Sequence, residues 1–172
     1  LRQETDTFGR LLGPRRIAAG ADILLGDGAP RLQLWSPAGR PLADLRFDAG
    51  MPVAVPEEDI AAPADVAAAG AWRYVLWRSG RIRRADPAAG LGPTWAPEAG
   101  GSRWMVGLGA AGDRLASFDL ANQQVIFFDP QLQVAGFWPT SAAGFLGASD
   151  LALSPERVFI VDRHRYRLTV WS

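Results

Sequence analysis

The feature that most constrains the fold is a short segment that recurs along the chain. Its pattern is a long polar residue, a branched apolar residue, two variable positions, a large aromatic residue and then Ser or Asp, usually followed by Pro. Three copies fit well, beginning at Arg31, Gln124 and Arg167, and a degenerate copy begins at Arg81. Successive copies are 50, 43 and 43 residues apart. Alternating runs that end in a turn signal indicate strands, and this spacing is typical of arrays of sheet-forming repeats.

Another predicted strand precedes each good copy and ends in Asp, four or five residues before the copy begins; these strands are 22–27, 114–119 and 157–162. The Asp and the following Arg or Gln predict a hairpin whose turn is locked by side-chain hydrogen bonds. The alternative is that these carboxylates converge on a metal at a central axis. The predicted turn-locking residues are Asp27, Arg31, Asp119, Gln124, Asp162 and Arg167.

Small, apolar segments further upstream predict inner strands, and segments downstream predict outer ones. The inner segments are 16–20, 65–69, 104–108 and 150–153, and the outer ones are 41–47 and 133–138. Four short antiparallel strands per repeat form the blade of a β-propeller. The sequence therefore predicts an all-β fold, a small β-propeller with four four-stranded blades in a single domain, 1–172. The blades span about 10–50, 60–98, 102–140 and 148–172 plus 1–9.

The last repeat reaches Ser172 without a fourth strand, so we expect the N-terminal segment 1–8 to complete that blade. The alternative is a section of a larger, six-bladed ring.

The first and last repeats resemble NHL repeats. The resemblance rests on 8–14, 23–27 and 31–35 in the first repeat and on 150–153, 158–162 and 167–171 in the last. The second repeat departs from the pattern, because Ser79-Gly80 replaces the Asp turn and Ala85 replaces the aromatic residue. The resemblance implies a propeller and says little about function. Lyases and lactonases similar to this family hold a metal with His, Asn, Asp and Glu side chains, whereas this chain has one His, His164, and one Asn, Asn122.

Composition excludes several classes of function. The 18 basic and 18 acidic residues give no net charge, which argues against a nucleic-acid binder. The chain has no Cys, and no sequence motif of a nucleophilic, zinc-dependent or nucleotide-binding enzyme is present. Gly107-Leu-Gly109 resembles part of a phosphate loop but is predicted to precede a strand rather than a helix. We therefore predict a non-enzymatic protein with no cofactor and no metal.

All basic residues are Arg, which together with abundant Ala, Gly and Pro indicates a GC-rich, bacterial coding sequence. No apolar stretch approaches the ~18 residues of a membrane helix, although association with a membrane complex stays open. The chain begins with Leu1, so we expect either a removed leader, which favours a periplasmic or extracytoplasmic location, or a fragment.

Aromatic residues at the repeat position are predicted to pack blade against blade; they are Trp35, Phe128 and Trp171. At the equivalent position of the second repeat, Ala85 leaves space that Trp77 or Trp95 can fill.

The irregular second repeat and the loop 51–60 are the predicted contact region, because broken local patterns tend to mark function. The predicted partner-binding residues are Arg73, Trp77, Arg78, Arg81, Arg84, Trp95, Glu57 and Glu58. The function predicted is a propeller scaffold that binds other proteins, as an accessory subunit of a larger assembly. The alternative is a six-bladed propeller fragment with an axial ligand-binding site or a lyase-like or lactonase-like hydrolytic site.

Overall fold

A computed structural model describes residues 16–19, 22–26, 31–46, 63–69, 71–86, 90–97, 104–140 and 144–172. Every regular element within these ranges is a β-strand. The strands are β1 Arg16–Ala19, β2 Ile23–Gly26, β3 Arg31–Trp35, β4 Pro41–Arg46, β5 Asp65–Ala69, β6 Trp72–Leu76, β7 Ile82–Asp86, β8 Gly90–Trp95, β9 Met105–Ala111, β10 Arg114–Asp119, β11 Gln124–Phe128, β12 Val134–Pro139, β13 Ala148–Leu153, β14 Val158–Asp162 and β15 Arg167–Trp171.

The strands form four antiparallel sheets, each made of strands that follow one another along the chain. Blade 1 is β1–β4, blade 2 is β5–β8, blade 3 is β9–β12 and blade 4 is β13–β15 within the described residues. The innermost strands β1, β5, β9 and β13 together line one central pocket of about 250 Å³. The fold is therefore a four-bladed β-propeller, as the repeat predicts. Residues 1–8, predicted as the outer strand of blade 4, lie outside the described residues.

Among the described residues, apolar clusters fill three seams between neighbouring blades: 1–2, 2–3 and 3–4. One packs Leu24 and Leu34 of blade 1 against Val75 and Trp77 of blade 2. The next joins Tyr74 and Ile82 of blade 2 to Leu115 and Phe128 of blade 3, and the third joins Phe118 and Val125 of blade 3 to Leu151 and Ile160 of blade 4. Burial of these side chains is the main force that holds one blade against the next.

Blade 2 contains a strand that the sequence pattern did not identify. The outer strand β8 includes Gly92 and Pro93, which disfavour strands in general. Because β8 lies at the edge of its sheet, the missing N–H of Pro93 need not remove a ladder hydrogen bond.

The segment around Gly107 belongs to the inner strand β9, which the sequence predicts over 104–108. Ser117 pairs with Leu108 and Phe118 with Val106, so Gly107 is the extra residue of a β-bulge. Its φ of 66° is a left-handed value that favours glycine, and its carbonyl accepts a 2.8 Å hydrogen bond from the buried Ser117 hydroxyl. The glycine pair is followed by the strand β10 rather than by a helix, as the sequence predicts.

Candidate functional site

A pocket of about 320 Å³ opens at the end of the ring where the inner strands begin. It is lined by Ala64, Asp65, Leu76 and Arg78 of blade 2, 104–107 of blade 3 and Ser149 of blade 4. We call it the Trp104 pocket. Residues from three blades meet there, so the packing of blades 2, 3 and 4 against one another fixes its shape.

Trp104 is the most unusual residue of this pocket, because 65% of its surface is exposed. The sequence places it in an inner strand, but β9 begins one residue later, at Met105. Its carbonyl accepts a 2.9 Å hydrogen bond from the N–H of Leu120, which holds the backbone in place while the indole stays exposed. An exposed Trp on a rigid backbone is the kind of side chain that anchors protein interfaces.

Arg78 lies on the other side of the pocket, in the tight turn between β6 and β7. The N–H of Trp77 donates to the carbonyl of Arg81 at 2.9 Å, and the N–H of Gly80 donates to the carbonyl of Trp77 at 3.0 Å. Gly80 has a φ of 83°, which this turn requires. The exposed Arg78 is therefore presented from an ordered turn.

Asp65 at the base of the pocket has a structural role. One of its carboxylate oxygens accepts from the N–H of Val66 at 2.9 Å, and the other accepts from the N–H of Leu108 at 2.7 Å. Leu108 belongs to blade 3, so this carboxylate joins the inner strands of blades 2 and 3.

Two of the predicted partner-binding residues lie in the interior. Arg73 is 4% exposed and pairs with Asp22 of blade 1 at 3.4 Å, and Trp77 is 3% exposed within the seam between blades 1 and 2. A docking protein does not reach either side chain on the folded surface, which corrects their assignment to a partner surface. Trp77 packs in the same cluster as Ala85, the position that lacks the repeat aromatic.

Arg84 connects two blades. Its guanidinium carbon lies 3.9 Å from the ring centroid of Trp72, and its Nη1 donates to the carbonyl of Pro130 at 2.9 Å. Pro130 belongs to the turn between β11 and β12, so charge reversal at Arg84 perturbs the seam between blades 2 and 3 as well as any surface contact.

Tyr74 shares the Pro130 carbonyl with Arg84, its hydroxyl donating at 3.4 Å. Burial raises the pKa of Tyr74 to about 12, with Arg84 acting to lower it and Asp129 and Asp113 acting to raise it. The phenol therefore stays protonated at neutral pH.

The remaining predicted partner residues are distributed between surface, seam and undescribed segments. Arg81 is half-buried beside the Arg78 turn. The Trp95 ring packs edge-on against Phe128 at a centroid distance of 5.0 Å, which places it at the seam between blades 2 and 3. Glu57 and Glu58, with the rest of the loop 51–60, lie outside the described residues.

The Asp residues that end β10 and β14 close their hairpin turns. Asp119 is buried and accepts from the backbone N–H of Asn122 at 3.2 Å and from its side-chain amide at 2.7 Å. Asp162 is also buried and accepts from the N–H groups of His164 at 3.1 Å and Arg165 at 3.2 Å. Its second oxygen accepts from the N–H of Leu146 at 3.2 Å.

Burial by itself acts to raise the pKa of Asp162, but backbone N–H donors from Leu146, Arg165, His164 and Gly147 lower it below its ordinary value. This carboxylate is therefore held ionised by the fold.

The polar residues that follow these turns make weaker contacts. Gln124 donates from its side-chain amide to Asp119 at 3.4 Å, and Arg167 lies 4.0 Å from Asp162. Arg31 is 1% exposed at the start of β3, whereas Asp27 lies outside the described residues.

The repeat aromatics occupy different surroundings. Besides the Phe128 contact with Trp95, Trp171 of blade 4 meets Trp138 of blade 3 edge-on at 5.5 Å and lies 5.3 Å from Phe145. Trp35 is half-buried, and its indole N–H donates to the side chain of Gln33 at 3.1 Å.

The central pocket contains carboxylates from two blades, Asp65 and Asp150. Asp150 accepts from the N–H of Leu151 at 2.8 Å, much as Asp65 accepts from Val66. Among the described residues, no group of three or more His, Asp or Glu side chains is placed to bind a metal ion.

Comparison with solved structures identifies the same fold in proteins of low sequence identity. The computationally designed Ika4 protein is 12% identical, with a TM-score of 0.62 over 94% of this chain and 92% of that one. The WD40 repeats of RRP9 are 14% identical, with a TM-score of 0.62 over 94% of this chain and 52% of that one. A streptogramin B lyase is 8% identical, with a TM-score of 0.64 over 92% of this chain and 54% of that one.

At these identities the likeness establishes the β-propeller fold alone. The chain spans about half the length of the WD40 protein and of the lyase. No family model and no curated protein sequence matches the chain. No helix that is both long and apolar enough to cross a membrane occurs in the described part of the chain.

Proposed function

We propose that this propeller is a non-enzymatic module that binds another protein, as an accessory subunit of a larger assembly, and that the Trp104 pocket is its contact surface. The observation that carries the proposal is the 65% exposure of Trp104 on a fixed backbone, across a pocket from Arg78. Trp and Arg, together with Tyr, are the residue types enriched among those that dominate interface energies. The resemblance to WD40 propellers supports a scaffold role.

The Trp104 pocket retains part of the surface that the sequence suggested. Arg78 belongs to the predicted set, and Trp104 adds an anchor from the neighbouring blade. In a complex, an apolar group of the partner packs on the indole, and a carboxylate of the partner pairs with the Arg78 guanidinium.

Photocrosslinking in the source cell tests this assignment. A photoreactive phenylalanine analogue at position 104 should give a discrete crosslinked species, because it lies within the interface. The same analogue at position 166 is the matched control, since Tyr166 is an exposed aromatic residue on the β14–β15 turn, 95% exposed. Arg78→Glu should weaken the crosslink at 104, whereas Arg163→Glu, at another exposed turn, should not. Identical crosslinks at 104 and 166 would contradict the proposal.

An axial site is the competing hypothesis, favoured by the central pocket with its two carboxylates. The hydrogen bonds that Asp65 and Asp150 already accept from the backbone oppose it. Metal analysis of the purified protein separates the two hypotheses. Stoichiometric calcium or zinc, with an activity lost on chelation, would overturn the non-enzymatic role.

A further inference from the structure

A second cleft, of about 360 Å³, lies between blades 3 and 4. It is formed where the inner strand β13 ends at Leu153, where β14 begins at Val158 and where β10 begins at Arg114. The Trp104 pocket is formed where inner strands begin, so the two sites lie at opposite ends of the blades. We call the second site the Arg114 cleft.

Four of the nine residues that line the Arg114 cleft are apolar. Phe127 and Trp138 contribute rings from the outer half of blade 3, and Leu153 and Val158 contribute aliphatic side chains from blade 4. Phe127, Trp138 and Leu153 are only partly buried. An apolar side chain that enters the cleft therefore removes further hydrocarbon surface from water.

Two arginines lie at this apolar surface. The Nη1 of Arg114 donates to the carbonyl of Pro155 at 3.3 Å, and its guanidinium carbon lies 4.9 Å from the ring centroid of Phe127. These contacts hold the cation in position across the seam while the residue remains exposed. A guanidinium that is already positioned loses less side-chain entropy when it binds a carboxylate.

The second arginine, Arg157, is exposed on the turn that joins β13 to β14. The N–H of Ser154 donates to the carbonyl of Arg157 at 2.9 Å, and the N–H of Arg157 donates to the Ser154 hydroxyl at 3.0 Å. The turn also carries Glu156, which is exposed. The charged side chains of the cleft are thus two cations and one carboxylate, and Ser154 and Ser172 complete its polar lining.

We propose that the Arg114 cleft binds an acidic, apolar peptide segment of a second protein. An apolar side chain of the segment packs between Phe127, Trp138 and Leu153, and an adjacent Asp or Glu carboxylate pairs with Arg114 and Arg157. Because the charged side chains of the cleft carry an excess of positive charge, the peptide must be negatively charged. Because the apolar residues lie beside the arginines, the carboxylate of the peptide must be next to a hydrocarbon side chain. With partners at both ends, the propeller connects two proteins. The Arg114 cleft shares no residue with the Trp104 pocket, so a test can refute one of the two binding proposals without refuting the other.

Fluorescence anisotropy with labelled hexapeptides tests the proposal on the intact protein. The probe alternates Leu and Glu, and the two controls alternate Leu with Lys and Ser with Glu. We expect the Leu–Glu peptide to bind, and each control to bind at least fivefold more weakly. Equal binding of the Ser–Glu peptide would show that charge alone attracts the probe, and equal binding of the Leu–Lys peptide would show that only apolar contact does. Absence of Leu–Glu binding, or either of these two results, would overturn the proposal.

Variants of exposed residues locate the probe. Arg157→Glu should weaken Leu–Glu binding by about fivefold or more, and Glu156→Lys should strengthen it about two- to fivefold, as expected for exposed charge pairs. Arg163→Glu is the matched charge control, and Trp104→Ala tests independence from the Trp104 pocket. Neither control should change the affinity. A weaker affinity for Glu156→Lys, or an unchanged affinity for Arg157→Glu, would place the peptide elsewhere.

Discussion

Gly109→Ala should destabilise the propeller by opening the seam between blades 3 and 4. A Cβ at position 109 would lie 2.5 Å from Cδ2 of Leu151, 2.8 Å from the backbone nitrogen of Leu153 and 2.9 Å from the carbonyl carbon of Ala152. The last two atoms are backbone of β13 and cannot rotate away, so the inner strands must separate. Overpacking of this kind costs about 1–3 kcal/mol. Because a domain of this size loses about 2–4 °C in Tm per kcal/mol, the expected decrease is about 2–12 °C.

The matched control is Gly136→Ala in the outer strand β12, where an added Cβ meets nothing within 4 Å. Alanine reduces the conformational entropy of the unfolded chain relative to glycine. That variant should therefore be as stable as the parent or more stable by up to about 1 kcal/mol. Urea unfolding followed by circular dichroism measures both variants. If Gly109→Ala and Gly136→Ala unfold at the same urea concentration, the close approach of β9 to β13 does not limit stability and the reasoning fails.

Three further predictions concern stability. The free energy of unfolding should fall between about pH 10 and pH 12, by up to about 1.4 kcal/mol per pH unit, because Tyr74 ionises near its ordinary pKa of 10.0 in the unfolded chain and only near 12 in the folded protein. Unfolding measurements across this alkaline range should show that Tyr74→Phe removes the slope. An unchanged slope in that variant would contradict the raised pKa. The lowered pKa of Asp162 means that its contribution is present above its ordinary pKa of 3.8 and is lost as the pH falls below it. Asp162→Asn should therefore be destabilised by about 1–3 kcal/mol at pH 7 and should approach the parent in stability in acid unfolding measurements, a convergence that a purely steric effect would not produce. Deletion of residues 1–8 should lower Tm, because we predict that they pair with the edge strand β15; an unchanged Tm would refute this closure.

The repeat allowed much of the fold to be predicted from the sequence. The spacing gave the number of blades, and the recurring aromatic position located the third strand of each blade, including the degenerate β7. The outer strand β8 could not be predicted, because Gly92 and Pro93 suppress the strand pattern and only its edge position makes Pro93 tolerable.

The candidate site was less predictable, because exposure depends on packing between blades. Arg73 resembles a surface residue in the sequence but lies against blade 1. For Trp77 the sequence suggests both a partner-binding role and packing beside Ala85, and the structure shows the packing. Trp104 is predicted within a strand that begins one residue later, at Met105. A shift of one residue at the end of a strand decides whether an indole enters a seam or remains in water. The repeat pattern shows only that Trp104, like Trp72, Trp77, Trp95 and Trp138, lies outside the repeat aromatic position, and it does not show which of these indoles is exposed.

The Arg114 cleft could not be predicted from the sequence for the same reason. Arg114 is separated from the Pro155 carbonyl by some forty positions in the sequence, and the two meet only because consecutive blades pack face to face. Contacts of this type follow from the ring, so they become visible once the fold is known.

Native mass spectrometry of the protein isolated from its source at low ionic strength tests whether the Trp104 pocket binds a partner protein. We expect the parent and the Tyr166→Ala control each to occur in a complex with the same second protein. Trp104→Ala should lose that protein, because removal of an interface anchor weakens binding by about thirtyfold or more. The contradicting result is a parent protein that carries the mass of a single chain, or a Trp104→Ala variant that retains the partner as fully as the control.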